Sequence, residues 1–206
     1  MDTQLLLFLT ASLVVIVAPG PDNILVLTRG VTLGRGAAMV SAAGASVGLV
    51  CHSVFAAVGL LAVLSQSVVA FSVVKYLGAA YLVYLGVRAL LSREGFTMPR
   101  GEAPAVGLGS VFAQGVVSNV LNPKIAIFFL AYLPQFAGPG ASGIHLLALG
   151  LAFAMLTWVV FSVLGYFSGS LGDRLASRPG YAKALGWFTG GIFVALGLRL
   201  AVTERF

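Results

Sequence analysis

Six apolar stretches, each long enough to cross a lipid bilayer, constrain this chain more than any other feature. They cover about residues 5–27, 37–64, 73–91, 109–133, 144–168 and 182–202, where a membrane helix needs roughly 17–25 apolar residues. Between them there is little with which to build a solvated surface. Only 9% of the 206 residues are charged, against about 25% in soluble domains. The sequence predicts an all-α, polytopic membrane protein with six transmembrane helices. The net charge of +6 does not suggest nucleic acid, because the basic residues mostly sit between apolar runs, as orienting charges do. Eight of them (Arg29, Arg35, Arg88, Arg93, Arg100, Arg174, Arg178, Lys183) fall on one side of the six spans. Lys75, Arg199 and Arg205 fall on the other, and Lys124 lies within a span. The positive-inside rule then puts both termini on the outer, periplasmic side. The opening MDTQLLLFLTASL lacks a basic head and a small-residue cleavage site, so it reads as a first membrane helix. Cys51 is the single cysteine, so no intrachain disulfide can form.

The longest polar stretch, 92–108, divides the chain into residues 1–91 and 109–206, with three spans each, and is expected on the cytoplasmic side. The halves echo one another. Pro21-Asp22 recurs as Pro123-Lys124, 102 residues later. Gly44, Phe55 and Gly59 recur as Gly150, Phe161 and Gly165, and KYLGAAYLVYLGVR (75–88) resembles KALGWFTGGIFVALGLR (183–199). An odd number of spans per copy turns the second copy upside down. The chain therefore reads as two inverted three-helix repeats, a plan of secondary transporters whose sites lie among discontinuous helices.

Two such discontinuities are legible, in helices 1 and 4. Fourteen residues from Leu5 rise only about 21 Å before Pro19, too little to cross a core of about 30 Å. The break at Pro19, Gly20, Pro21, Asp22 and Asn23 thus falls inside the membrane. Its prolines strip hydrogen bonds from carbonyls near Val15–Val17, which is tolerated only in protein or beside water. Asp22 is an intramembrane ionisable group and so a candidate for substrate or proton handling. The plainer alternative is a proline kink with Asp22 paired to Arg29. In helix 4, Asn119 and Asn122 share a face, and Lys124 follows the helix-breaking Pro123. Asparagine both donates and accepts, which suits a zwitterion, and equally suits bonds between helices. Asp22 and Lys124 are expected in two related half-sites and not in a direct ion pair.

Gly44, Gly48, Gly59, Gly165 and Gly186 are read as helix-packing positions whose smooth faces would also permit a homodimer. GASVG (44–48) matches a G-x-S-x-G elbow, but the strand-to-helix turn that motif needs is absent. His52 lies about 240° round the same helix from Ser46 and reads as a hydrogen-bonded core residue, while His145 is expected in a loop. No metal-ligand spacing, phosphate loop or dinucleotide fingerprint occurs, so neither an enzyme nor a cofactor protein is indicated. A passive channel is disfavoured because the polar residues are read as clustered at two breaks and not along a stripe.

The proline-glycine-proline-aspartate break, Asn119-x-x-Asn122-Pro123-Lys124, FF (128–129), LPQF (133–136) and LGAAYLVYLG (77–86) together resemble the LysE/RhtB amino-acid exporters. The resemblance runs nearly the whole chain. It implies a multi-pass exporter of the bacterial inner membrane, moving amino acids such as threonine, homoserine, leucine or lysine with proton-motive force as driver. Distant relatives that carry electrons between thiols use one cysteine from each repeat, and Cys51 alone cannot serve. The expectation is alternating access. Asp22 would hold the substrate ammonium or the coupling proton, and Lys124 would meet the carboxylate. The rival reading is a non-transporting scaffold or subunit whose polar breaks only set helix packing.

Overall fold

The computed structural model describes residues 3–60, 68–91, 106–137, 142–168 and 179–202, and every described element is helical. Most of the 92–108 linker, residues 61–64 of the second expected span, Arg93, Arg100, Arg174, Arg178 and Arg205 lie outside the described residues. Helix α1 is Thr3–Val17 and α2 is Pro21–Leu33. Helix α3 is Arg35–Phe55, continued by a wider turn over Ala56–Leu60, and α4 is Val68–Leu91. Helix α5 is Leu108–Val120, and α6 is Pro123–Ile127, extended by a wide turn over Phe128–Tyr132 and a tight one over Leu133–Phe136. Helix α7 is Gly143–Tyr166 and α8 is Pro179–Val202.

Three stretches, Arg35–Gly59, Ser72–Leu91 and Gly143–Tyr166, are each one helix long and apolar enough to cross a membrane. Two bent pairs qualify jointly, α1 with α2 at 57° and α5 with α6 at 48°, and Gly186–Val202 is a shorter apolar helix. Side chains such as Phe55, Leu77, Leu121, Trp187 and Phe188 point outward with more than half their surface exposed, as they do where lipid is the solvent.

The breaks are narrower than the sequence suggests. Only Ala18–Gly20 leave the helix in the first, so Asp22 and Asn23 sit in the first turn of α2, not in the gap. Pro21 explains this: at the first helical position its fixed φ suits the helix and its missing N–H costs nothing. The second break is Leu121–Asn122, and Pro123 again restarts the helix.

Glycine sets how closely the helices approach. A Cβ on Gly44 would stand 2.3 Å from the Phe112 carbonyl oxygen, and one on Gly115 would stand 2.5 Å from that of Ser41, so α3 and α5 touch backbone to backbone. Gly48 lies against Asn119, and Gly165 of α7 against Ala38. Helices α4 and α8 meet in the same way at Gly86 and Gly190, while Gly186 makes only ordinary contact with the Ala89 carbonyl. Among the described residues nothing lies within 4 Å of a Cβ built on Gly59. The faces of Gly44 and Gly48 are thus filled by α5 of the same chain. His145 lies in the first turn of α7, not in a loop, where its Nδ1 accepts from the Ser142 N–H at 3.3 Å.

The apolar core forms where α1, α3, α6 and α7 converge. Phe8, Phe128, Phe129, Tyr132 and Phe153 are almost wholly buried there; the last four meet one another at centroid distances of 4.9–6.2 Å, and Phe136 links Tyr132 at 5.2 Å to Phe8 at 5.4 Å. These rings follow Lys124 along α6 and precede Val15 along α1. They fill the space to one side of the two breaks.

Candidate functional site

At a helix break the orphaned carbonyls need donors. Pro19 cannot donate to Val15, and the chain leaves the helix before residue 20 can serve Ile16. The structure supplies replacements from side chains. Lys124 Nζ donates to the carbonyls of Val15 at 3.1 Å and Ala18 at 3.0 Å, and Asn23 Nδ2 donates to that of Ile16 at 2.7 Å. At the second break Pro123 cannot serve Asn119, whose carbonyl accepts from the Asn122 N–H at 3.0 Å. The Nε2 of His52 lies 3.1 Å from the same oxygen, a contact that requires the proton on Nε2.

Asp22 is 3% exposed and its carboxylate takes three donors. Ser118 Oγ reaches Oδ1 at 2.7 Å, while Asn119 Nδ2 and Asn122 Nδ2 reach Oδ2 at 2.7 and 2.9 Å. Asn122 also caps α6, accepting from the Lys124 N–H at 3.1 Å. The two breaks are therefore tied crosswise. The charge that follows the first break is held by the end of α5, and the charge that follows the second is held by the end of α1. The expected pair of separate half-sites is one continuous buried cluster, joined through Asn122. Asp22 and Lys124 are both in it without bonding to each other. Gly20 completes the fit, since a Cβ there would lie 2.9 Å from Lys124 Nζ.

The alternative of an Asp22–Arg29 pair does not occur, because Arg29 donates through Nη2 to Gln114 Oε1. Ser118 was not singled out from the sequence, although the signal was present. Ser110, Gln114, Ser118 and Asn122 recur every four residues, which is one face of a helix. A polar stripe therefore does run along α5, contrary to the reading of polar residues confined to the breaks. Ser110, Gln114 and Ser118 line an open cleft of about 640 Å³ between α2 and α5, faced by Pro21, Ile24, Leu25 and Arg29. A smaller cavity of about 250 Å³ lies between α3 and α6, beside Cys51, His52 and Phe129. Through Ser118 the cleft borders the Asp22 cluster.

A chain of apolar helices with two crosswise-tied breaks and a cleft leading to the tie is a multi-pass transmembrane protein built around a buried polar centre. The chain belongs to the LysE family, whose LysE type translocator model matches residues 13–204. It is 31% identical over 94% of its length to the homoserine/homoserine lactone efflux protein of Salmonella typhimurium, covering 94% of that protein. It is 28% identical to the leucine efflux protein of Klebsiella pneumoniae, covering 97% of this chain and 95% of the relative. An uncharacterised membrane protein of Bacillus subtilis is 29% identical, over 97% of this chain and 99% of the relative. No solved structure matches the chain.

Proposed function

We propose that this protein exports amino acids across the bacterial inner membrane by alternating access. Six spans in two inverted repeats, residues 1–91 and 109–206 joined by a cytoplasmic linker at 92–108, would place both termini in the periplasm. The observation that carries the reading is the crosswise tie. Under the 102-residue offset Asp22 corresponds to Lys124, and each is held by the helix end before the other's break: Ser118 and Asn119 fall opposite residues 16 and 17, flanked by the Val15 and Ala18 that hold Lys124. An inverted repeat would produce such an exchange, and the efflux activities named for two relatives favour export.

In this reading the open α2–α5 cleft and the ring-filled α1–α6 interface are equivalent positions of the two repeats, one open and one closed. Asp22 and Lys124, with Asn23, Asn119 and Asn122, form the centre that substrate and coupling protons must pass. Asp22 exchanges its three donors for a substrate ammonium or a proton, and Lys124 leaves its carbonyls to meet a carboxylate. A charge crossing the membrane is worth about 2.3 kcal/mol per 100 mV, enough for proton-motive force to drive the cycle.

The test is to overexpress the chain in bacteria and quantify extracellular amino acids with and without a protonophore. The expected result is a rise in specific amino acids that the protonophore abolishes. A scaffold would give no rise in any of them, and that result would overturn the proposal.

A further inference from the structure

Two charges bound the cleft between α2 and α5, and their spacing is set by α5. Ser118 marks the level of the Asp22 carboxylate, and Gln114 marks the level of the Arg29 guanidinium. These positions are four residues apart, so about 6 Å of helix separates the levels. The Ser118 hydroxyl gives its proton to Asp22, which leaves its oxygen lone pairs to accept from a ligand in the cleft it lines. Arg29 has five N–H donors; Nη2 serves Gln114 and Nε has no partner. Between the two ends the wall is mostly apolar, formed by Ile24 and Leu25 of α2 and Val117 of α5, with Thr28 as its polar exception.

An α-amino acid fits these constraints. Its ammonium nitrogen and carboxylate oxygens lie about 3 Å apart, and charge-assisted hydrogen bonds of about 2.8 Å at each end extend its reach to about 9 Å, enough to cover the roughly 6 Å between the two levels. We infer that the cleft seats a zwitterionic amino acid with a neutral aliphatic side chain. The ammonium rests on Ser118 Oγ, the carboxylate takes Arg29 from Gln114, and the side chain packs on Ile24, Leu25 and Val117. This assignment rests on the exporter reading and adds to it a seat in the open cleft, occupied before the substrate reaches Asp22 and Lys124. Arg29 is the one charged residue in the cleft wall, and Asp22 behind Ser118 is already taken by three donors, so a second cation on the substrate would face Arg29 without a free counter-charge. Lysine and arginine are excluded on that ground.

The test is counterflow exchange of radiolabelled L-leucine in proteoliposomes of the full chain, with L-lysine and leucinol as competitors. Leucinol keeps the ammonium and side chain but has no carboxylate. The inference expects leucine exchange that a tenfold excess of lysine leaves unchanged. Arg29→Gln should raise the KM for leucine about tenfold or more while inhibition by leucinol stays within about twofold. Arg29→Lys should fall between, because it keeps the charge and loses the planar fork. Ser118→Ala should weaken leucine and leucinol together, and Ser118→Thr should restore both. The inference is overturned if Arg29→Gln weakens leucine and leucinol equally, which is what a packing role would do, or if lysine competes as well as leucine. Exchange of other amino acids but not leucine would sink the seat and leave the exporter reading standing. No exchange of any amino acid by the unaltered protein would sink both.

Discussion

Asp22 and Lys124 occupy the same local position, the residue after a proline that restarts a broken helix, yet they are held by different chemistry. Asp22 sits at the positive start of α2, where an anion is favoured, and is also held by three side-chain donors from α5 and the second break. Lys124 sits at the start of α6, where a cation is disfavoured, and is held by two backbone carbonyls at the negative end of α1. The first charge is stabilised by its own helix and its partners; the second depends on the other break alone. Sequence symmetry thus yields two unequal positions. The carboxylate's site is specified by side chains, whereas the ammonium's site is specified by where the prolines free the backbone.

This asymmetry can be broken deliberately. Asp22→Ala removes the acceptor for three donors and leaves Lys124 as a buried charge without an anion nearby. It should cost about 3–5 kcal/mol and is the largest effect expected, read by thermal unfolding in detergent. Lys124→Met strands the Val15 and Ala18 carbonyls but no charged neighbour bonds to it directly, so a smaller loss of about 2–3 kcal/mol is expected. Combining the two should cost less than their sum by about 1 kcal/mol, because both act on one cluster. Gly48→Ala would put a Cβ 2.8 Å from that of Asn119 and 3.1 Å from the Val116 carbonyl, pushing α5 away at about 1–3 kcal/mol. Gly59→Ala meets none of the described residues and should leave stability unchanged or raise it by up to about 1 kcal/mol. Gly20→Ala is the smallest loss expected, about 1 kcal/mol, because the atom it meets is the mobile end of Lys124. Its backbone is extended at φ −167, so no conformational strain adds to it.

Much of this centre was legible in the sequence because prolines and intramembrane charges carry fixed physical penalties. Pro19, Pro21 and Pro123 located both breaks, and Asp22, Asn119, Asn122 and Lys124 were each marked by being polar in an apolar run. What was not legible was their mutual arrangement. Two isolated helices read by their rise leave Asp22 and Lys124 in separate half-sites, whereas in the structure, with bends of 57° and 48°, the two breaks touch through Asn122 and Lys124. Gly59 and Gly44 looked alike as sequence, because whether a glycine faces a helix or open space depends on the neighbouring helix. Ser118 and Gln114 are unremarkable as single residues until Ser110 and Asn122 complete the four-residue spacing. The position of Arg29 in the cleft was likewise hidden behind its service as an orienting charge.

The most direct test of the central claim compares the unaltered protein with Asp22→Asn, which keeps the size of the side chain, removes its charge and turns one acceptor oxygen into a donor. Proteoliposomes loaded with the exported amino acid and given an inward proton gradient would report efflux. The account predicts that the unaltered protein releases amino acid faster when the gradient is imposed. Asp22→Asn, inserted to the same level, should lose at least about 90% of that efflux and its response to the gradient. Full gradient-driven efflux by Asp22→Asn would contradict the account, since the crosswise tie would then hold the helices and not the transported species.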